Sequence, residues 1–121
     1  MKLITAIIRE TQLDQVREAL IENQISRITV TRVSGHGQQI EEEIYRGKKV
    51  IPGLIPKIKL EIAVNDSYVD LTVNTITEAA KSVAAQSAKS SDGQVGDGKI
   101  WITAIEECIR IRTDERGSEA I

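Results

Sequence analysis

A strand, an amphipathic helix and a second strand follow one another twice along this chain, and this order limits the fold more than any other feature. Lys2–Arg9 ("KLITAIIR") is rich in β-branched residues and nearly continuous in apolar character, which is typical of a central strand. Apolar residues at helical spacing follow in "TQLDQVREALIEN", and residues 27–33 alternate like a strand with one buried face. Residues 56–65, "DSYVDLTVNTITEAAKSVAAQ" and "KIWITAI" repeat the order, with Asp66 or Ser67 expected to cap the second helix.

Two such units favour an α+β, ferredoxin-like (βαβ)2 fold, in which an antiparallel sheet carries both helices on one face. The chain of 121 residues is long enough for a single domain over 1–121, and its core must be aliphatic because it contains no Phe. The uncovered face of the sheet is expected to expose Ile and Val. An apolar face of that size predicts a partner surface, most simply in a homo-oligomer.

The charge balance and the single cysteine exclude several classes of protein. Lys plus Arg total 16 and Asp plus Glu total 18, so the net charge of -2 argues against a general nucleic-acid binder. Cys108 is the only cysteine, so no intrachain disulfide is expected, and its simplest interpretation is a small packed residue. The first apolar run is too short for a signal peptide, and no stretch approaches the ~20 apolar residues of a membrane span. These features predict a cytoplasmic protein.

Three segments lack a clear period. Residues 34–53 contain early turn residues and a carboxylate run, which indicates a long loop or an extended hairpin arm. Residues 82–91 ("SVAAQSAKSS") read as a helix extension followed by a flexible linker, with a modification site at Ser90 or Ser91 as the less favoured alternative. The C-terminal segment 113–121 is expected to be mobile or to dock on a neighbouring molecule.

The stretch "VGDGKIW" before the last strand has two interpretations. Gly96 and Gly98 permit positive φ and close backbone approach, so the turn could form a concave anion site to which Lys99 adds charge. The plainer alternative is a turn that opens a strand, because the spacing matches neither the Walker A nor the Rossmann pattern.

A pair of arginines shifts the balance toward an anion. The segment "EECIRIRT" after the last strand is expected to be extended, so Arg110 and Arg112, two residues apart, would point to the same side. Two guanidinium groups with no acidic residue between them suit a polyphosphate. The nearby Glu106 and Glu107 keep a structural ion pair open as the alternative.

These motifs together resemble the PII family of nitrogen-regulatory signal proteins over essentially the whole chain. The resemblance lies in "MKLITAIIRETQLDQVREALIENQISRITVTRVSGHGQQ", in "YRGKKVIPGLIPKIKLEIAV" and in "GDGKIWITAIEECIRIRTDERGSEAI". It implies a ferredoxin-like homotrimer that binds ATP or ADP in clefts between subunits. It also implies a T-loop at about 37–53, a phosphate-gripping B-loop at about 92–99, and an insertion at about 82–91.

The resemblance assigns roles residue by residue. The nucleotide-binding positions that it implies are Thr29, Gly35, Gly37, Gln38, Gln39, Glu61, Ile62, Ala63, Gly96, Asp97, Gly98, Lys99, Arg110 and Arg112. Gln39 is also implied as a ligand of Mg²⁺ bound with ATP. Gln39, Ile40, Glu41 and Lys57 match the positions around 2-oxoglutarate, where Lys57 would pair with a carboxylate. Tyr45, Arg46, Lys48 and Lys49 match the part of the T-loop that contacts targets.

The sequence departs from the family pattern within the T-loop. Val50 stands where uridylylated members carry a tyrosine, and Lys48 stands where cyanobacterial members carry a phosphorylatable serine. Gln38, Ile40 and Glu41 replace the usual arginine, lysine and glycine around Gln39. No uridylylation site is therefore predicted, and the match to a 2-oxoglutarate site is weaker than the match to a nucleotide site.

Three functions follow as hypotheses. The first is a regulatory protein whose ATP or ADP occupancy, with Mg²⁺ and 2-oxoglutarate, sets the T-loop. That loop would control an ammonium transporter, which would bring the protein to a membrane, or a nitrogen-assimilation enzyme. The alternative is a variant sensor of another adenine nucleotide or of bicarbonate without a 2-oxoglutarate response. An enzyme such as a slow ATPase is disfavoured because no nucleophile–base set or metal cluster is recognisable.

Overall fold

The computed structural model describes residues 1–37, 43–45, 48–50, 53–81 and 93–121. Its strands are β1 (Lys2–Arg9), β2 (Thr29–Gly35), β3 (Glu43–Tyr45), β4 (Lys48–Val50), β5 (Ile55–Val64) and β6 (Gly98–Ala104). Its α-helices are α1 (Leu13–Glu22) and α2 (Val69–Ala80), and 3₁₀ turns occupy Glu10–Gln12, Asp66–Tyr68 and Gly117–Ala120. The predicted order of strands and helices is confirmed.

Four strands form one antiparallel sheet in the order β2-β5-β1-β6, which is the ferredoxin-like topology. The central strand β1 pairs along its whole length with β5, from Lys2 opposite Val64 to Arg9 opposite Lys57. On its other side β1 pairs with β6 as far as Ile8 opposite Gly98. The end of β1 therefore lies beside both the start of β5 and the start of β6.

One face of the sheet packs against the two helices and forms an aliphatic core. Alternate residues of β1 (Ile4, Ala6 and Ile8) and of β5 (Ile58, Leu60, Ile62 and Val64) are each at most 6% exposed. The helices add Val16 and Leu20 from α1 and Ile76 and Ala80 from α2, at the spacing that the sequence predicts. This packing fixes which side chains of the same strands point to the other face.

The face opposite the helices, called the open face below, is more polar than predicted. It carries Leu3, Thr5, Ile7, Thr29, Thr31, Val33, Lys57, Lys59, Glu61, Ala63, Lys99, Trp101 and Thr103, placed there by strand alternation and register. Trp101 is 41% exposed, while Lys57 and Thr5 are buried. Apolar and charged side chains alternate across this face, so it is not the continuous Ile and Val surface that was expected.

Three local predictions are wrong. Neither Asp66 nor Ser67 caps the second helix, because Asn65 precedes the 3₁₀ turn, Tyr68 precedes α2, and neither forms a side-chain cap bond. The segment after β6 is not extended, since Ile111 to Thr113 form a turn and only Ile109 and Arg116 pair as an isolated bridge.

The third concerns the tail, which packs against its own chain and is not the mobile segment predicted; its docking on a neighbouring molecule stays a prediction. Ala120 is 9% exposed, and the main-chain oxygen of Ile121 accepts a hydrogen bond from Arg27 at 2.7 Å. Asn65 Nδ2 also donates to the Ser118 carbonyl oxygen at 3.1 Å. Within the described residues, no helix is long and apolar enough to cross a membrane.

Candidate functional site

The glycine turn before β6 needs two residues without side chains. Gly96 has a φ of 94° and Gly98 a φ of 119°, a region that disfavours every residue with a Cβ. A Cβ on Gly98 would also overlap the Ile7 carbonyl oxygen of β1. The Asp97 amide donates to the Gln94 carbonyl at 3.1 Å and so closes a tight turn.

Arg9, at the end of β1, makes two hydrogen bonds to this turn. Its Nε donates to Asp97 Oδ1 at 3.0 Å, and its Nη2 donates to the Val95 carbonyl oxygen at 2.6 Å. The other oxygen of Asp97 accepts a hydrogen bond from the Gln94 amide at 2.7 Å. The Asp97 carboxylate therefore ties the turn to itself and to Arg9.

Lys57, at the start of β5, makes a third contact with the turn. Its Nζ donates to the Gly96 carbonyl oxygen at 2.9 Å, and the residue is 7% exposed. Burial lowers the pKa of Lys57 below its usual value of 10.5; the Arg9 guanidinium lowers this pKa further, and the Asp97 carboxylate opposes both. The ammonium group is held where an anion would stabilise its charged form.

A cleft of about 710 Å³, called the front cleft below, opens between this turn, the end of β2 and the start of β5. It is lined by Ile7, Val33, Ser34, Gly35, His36, Gly37, Lys57, Gln94, Val95, Gly96, Asp97, Gly98 and Lys99. Gly35, Gly37, Lys57 and the four residues Gly96 to Lys99 were expected here from the sequence. The structure brings these seven together.

Several lining residues were not singled out as site residues from the sequence. The alternation of β1 and β2 could have placed Ile7 and Val33 on the same face as Lys57, once the sheet order was known. His36 lies beside two of the glycines, but a lone histidine in a loop carries no specific signal. Arg9 could not have been found, because its role depends on a contact 88 residues away along the chain.

A second cavity, the rear groove, lies behind the same turn on the helix side of the sheet. Its volume is about 500 Å³, and α2 contributes Val73, Ile76, Thr77 and Ala80 to its wall. Six residues line both cavities, namely Ile7, Gln94, Val95, Asp97, Gly98 and Lys99. The glycine turn is thus a partition between the front cleft and the rear groove.

The remaining predicted nucleotide residues lie elsewhere. Thr29, Glu61 and Ala63 line a different cavity of about 380 Å³, the far cleft, together with Leu3, Arg27, Cys108, Ala120 and Ile121. Both clefts lie on the open face, and Lys57 and Glu61 lie four positions apart on β5, which is about 13 Å along an antiparallel strand. The Ile62 side chain is 1% exposed in the core, so only its main chain can face a ligand.

The two predicted phosphate-binding arginines differ in their surroundings. Arg110 Nη1 pairs with Glu115 at 3.0 Å, and its Nη2 donates to the main-chain oxygens of Glu119 at 2.8 Å and Ile121 at 3.4 Å. Arg112 lies in the turn that follows and is exposed. The argument that both arginines point to one side of an extended segment is therefore not supported, and in this chain Arg110 secures the C-terminal segment.

Several predictions concern the T-loop and the insertion. Gln38, Gln39, Ile40, Glu41 and Arg46 lie outside the described residues, as do 82–91. Tyr45 is in β3, and Lys48, Lys49 and Val50 are in β4, which pairs with β3 as a short hairpin. The hairpin alternative for this loop is confirmed for the six residues of β3 and β4. Among the described residues, no group of three or more His, Cys, Asp or Glu side chains could hold a metal ion.

The chemistry of the front cleft suits an anion. Arg9, Lys57 and Lys99 bring three positive charges to the turn, and Asp97 brings one negative charge. Lys99 Nζ lies 5.8 Å from the centre of the Trp101 ring, a cation–π contact on the open face. A flexible lysine over an aromatic ring, beside a glycine turn with positive φ, fits a phosphate group of a ligand that enters from the open face.

Comparison with known proteins gives one family. A family model described as nitrogen regulatory protein P-II matches residues 1–115. Nitrogen regulatory protein P-II of Rhodospirillum rubrum is 43% identical over 122 residues, covering 100% of both chains. Nitrogen regulatory protein GlnK1 of Methanosarcina mazei is 47% identical, covering 100% of this chain and 97% of its own. Nitrogen regulatory protein P-II 2 of Methanothermobacter thermautotrophicus is 43% identical with the same coverage.

Proposed function

The chain belongs to the nitrogen regulatory protein P-II family, and from that premise we propose that it binds ATP and ADP in clefts between the subunits of a homotrimer. One observation carries the proposal. The predicted nucleotide residues divide between the front cleft and the far cleft, at opposite ends of one open face. A site shared by two copies reunites the two sets, because the front cleft of one copy then meets the far cleft of the next.

The two half-sites have complementary chemistry. The front cleft offers glycines and cations, which suit the phosphates, with Lys99 and Lys57 closest to the turn. The far cleft offers a hydroxyl and a carboxylate, from Thr29 and Glu61, beside the small Ala63. Such groups suit the donors and acceptors of an adenine base and a ribose. Arg112, which is exposed and follows Cys108 of the far cleft by four positions along the chain, would supply a further charge to the phosphates.

The effector and the target are the finer parts of the proposal. Lys57 lies at the junction of the front cleft and β5, so a small dicarboxylate such as 2-oxoglutarate would meet its ammonium group there. Gln39, from the adjoining T-loop, would give an amide oxygen to Mg²⁺ bound with ATP, the hard ligand type that this ion prefers. The T-loop, including Tyr45, Lys48 and Lys49, would then engage an ammonium transporter at a membrane or a nitrogen-metabolism enzyme.

Isothermal titration calorimetry with ATP and ADP tests nucleotide binding directly. Lys99→Met in the front cleft and Arg112→Ala in the exposed turn after Arg110 should each weaken ATP binding about 10- to 100-fold, the range expected for losing a charge-assisted contact. Lys2→Met, which removes the same charge from the opposite end of β1, should bind like the wild type. A wild-type oligomer that binds neither nucleotide contradicts the proposed function.

Mixed oligomers test whether the site is shared. If Lys99→Met and Arg112→Ala chains are unfolded and refolded together in equal amounts, about a quarter of the sites should combine two intact halves. Binding at nucleotide concentrations near the wild-type Kd should therefore reappear in the mixture. No recovery in mixed oligomers that have exchanged subunits would place both residues in a site within one chain.

A thermal-shift experiment tests the effector. A higher Tm with Mg-ATP and 2-oxoglutarate than with Mg-ATP alone supports 2-oxoglutarate as the effector, and an equal Tm supports the alternative sensor.

A further inference from the structure

We propose that Arg9 is a positioning residue of the nucleotide site, which sets the shape of the glycine turn through Asp97 and does not itself bind the ligand. The same geometry assigns Asp97 to the turn's internal support. This inference rests on the proposed function, since it concerns how the phosphate-binding half of that site is prepared.

Three successive residues of the turn each accept a hydrogen bond from a cationic side chain of β1 or β5. Arg9 binds the Val95 carbonyl oxygen at 2.6 Å and the Asp97 carboxylate at 3.0 Å. Lys57 binds the Gly96 carbonyl oxygen between them at 2.9 Å. All three acceptors are therefore directed at cations of the protein. An anion-binding turn needs this orientation, because an acceptor that faced the cleft would repel a phosphate.

The carboxylate of Asp97 fits this supporting role better than a ligand-binding role. One of its oxygens pairs with Arg9 and the other accepts the Gln94 amide at 2.7 Å, and its side chain is only 15% exposed. A carboxylate repels a phosphate of the same sign unless a cation compensates it. Arg9 supplies that cation, so the negative charge of Asp97 stabilises the turn without opposing an anion in the front cleft.

Strand pairing explains why Arg9 reaches all these groups. It is the last residue of β1 and lies opposite Lys57 of β5, while its neighbour Ile8 lies opposite Gly98 of β6. The end of the central strand thus brings the Arg9 guanidinium within hydrogen-bond distance of the turn that opens β6. Its planar fork makes two separate hydrogen bonds, from Nε and Nη2, which a lysine ammonium could not reproduce in the same geometry.

Four variants test the role of Arg9. Arg9→Met removes the fork and keeps the length, Arg9→Lys keeps the charge, Asp97→Asn keeps the shape of the carboxylate, and Arg9→Met with Asp97→Asn removes both groups. Arg17→Met is the matched control, because it removes an arginine that pairs with Asp14 on α1, away from both clefts. Each is measured for ATP affinity by calorimetry and, without nucleotide, for hydrogen exchange at the Gln94 and Asp97 amides.

The expected pattern separates positioning from direct binding. Arg9→Met, Arg9→Lys and Asp97→Asn should each weaken ATP binding about tenfold, and the double variant should be no weaker than the worse single variant. Exchange at the Gln94 and Asp97 amides should accelerate in the same variants without nucleotide. Arg17→Met should change neither measurement.

Two results would overturn the inference, and each differs from a failure of the proposed function. The first result starts from a wild type that binds ATP. If Asp97→Asn then has the ATP affinity of the wild type, or if the losses of affinity in Arg9→Met and Asp97→Asn add in the double variant, Arg9 is a direct ligand. Unchanged amide exchange in Arg9→Met would show that the turn does not depend on this arginine. A wild type that binds no nucleotide removes the proposed function and this inference together.

Discussion

Gly98→Ala should destabilise the protein strongly, because this glycine meets two independent constraints. Its φ of 119° lies where a residue with a Cβ costs about 1–3 kcal/mol. The added Cβ would overlap the Ile7 carbonyl oxygen and lie 2.8 Å from the Ile7 carbonyl carbon. These are backbone atoms of the paired central strand, so the end of the β1–β6 ladder must separate, at a cost of about 1 kcal/mol for each hydrogen bond lost.

The sum is a loss of about 3 kcal/mol in the free energy of unfolding. For a chain of this length that corresponds to a decrease of about 10 °C in Tm. Urea and thermal denaturation, compared at one protein concentration because association shifts the midpoint, measure it. Gly53→Ala is the control, since a Cβ there meets nothing within 4 Å. A Gly98→Ala variant within about 0.5 kcal/mol of the wild type, the range of ordinary surface changes, would refute this reasoning.

Two further predictions concern the charged residues. Arg110→Ala should lower the free energy of unfolding by about 2 kcal/mol, because it removes the ion pair with Glu115 and the hydrogen bond to the Glu119 oxygen, while the Ile121 oxygen keeps its bond from Arg27. The exposed Arg112→Ala should change the free energy of unfolding by less than about 0.5 kcal/mol. Urea denaturation of both variants measures the difference, and equal losses would contradict the distinction. Lys57 should titrate with a pKa below 10.5 in a ¹³C NMR experiment. Because folding lowers this pKa, the charged lysine opposes folding to the full extent at any pH below the folded-state pKa. The free energy of unfolding of the wild type, relative to Lys57→Met, should therefore rise as the pH approaches 10.5. A titration midpoint at or above 10.5 would show that burial and the Arg9 charge do not lower the pKa.

The sequence predicted the sheet, both helices and the aliphatic core because each depends on a local period. Ile4, Ala6 and Ile8 alternate, and Val16 and Leu20 recur at helical spacing, so burial of one face determines both patterns. The glycine turn was predictable for a similar reason, since few residues other than glycine adopt its backbone angles.

Contacts between charged residues that no local period brings together were not predictable. The pairing of Arg9 with Asp97 and that of Arg110 with Glu115 depend on where strand ends and turns bring each guanidinium group. The polar tail shows no period in its sequence, and it packs because Asn65 and Arg27 donate hydrogen bonds to its main-chain oxygens and Ala120 is buried. The Ile111 to Thr113 turn likewise followed from no local signal that distinguishes "RIRT" from a strand.

The glycine turn separates the front cleft from the rear groove, so the volumes of the two cavities depend on the position of the same turn. Six residues line both cavities, and the pairing of Gly98 with Ile8 ties the end of the turn to the central strand, so a displacement of the turn that enlarges one cavity narrows the other. Space gained on one side is therefore lost on the other. A small apolar molecule bound against Val73 and Ile76 in the rear groove would press the turn forward and narrow the front cleft, without entering that cleft.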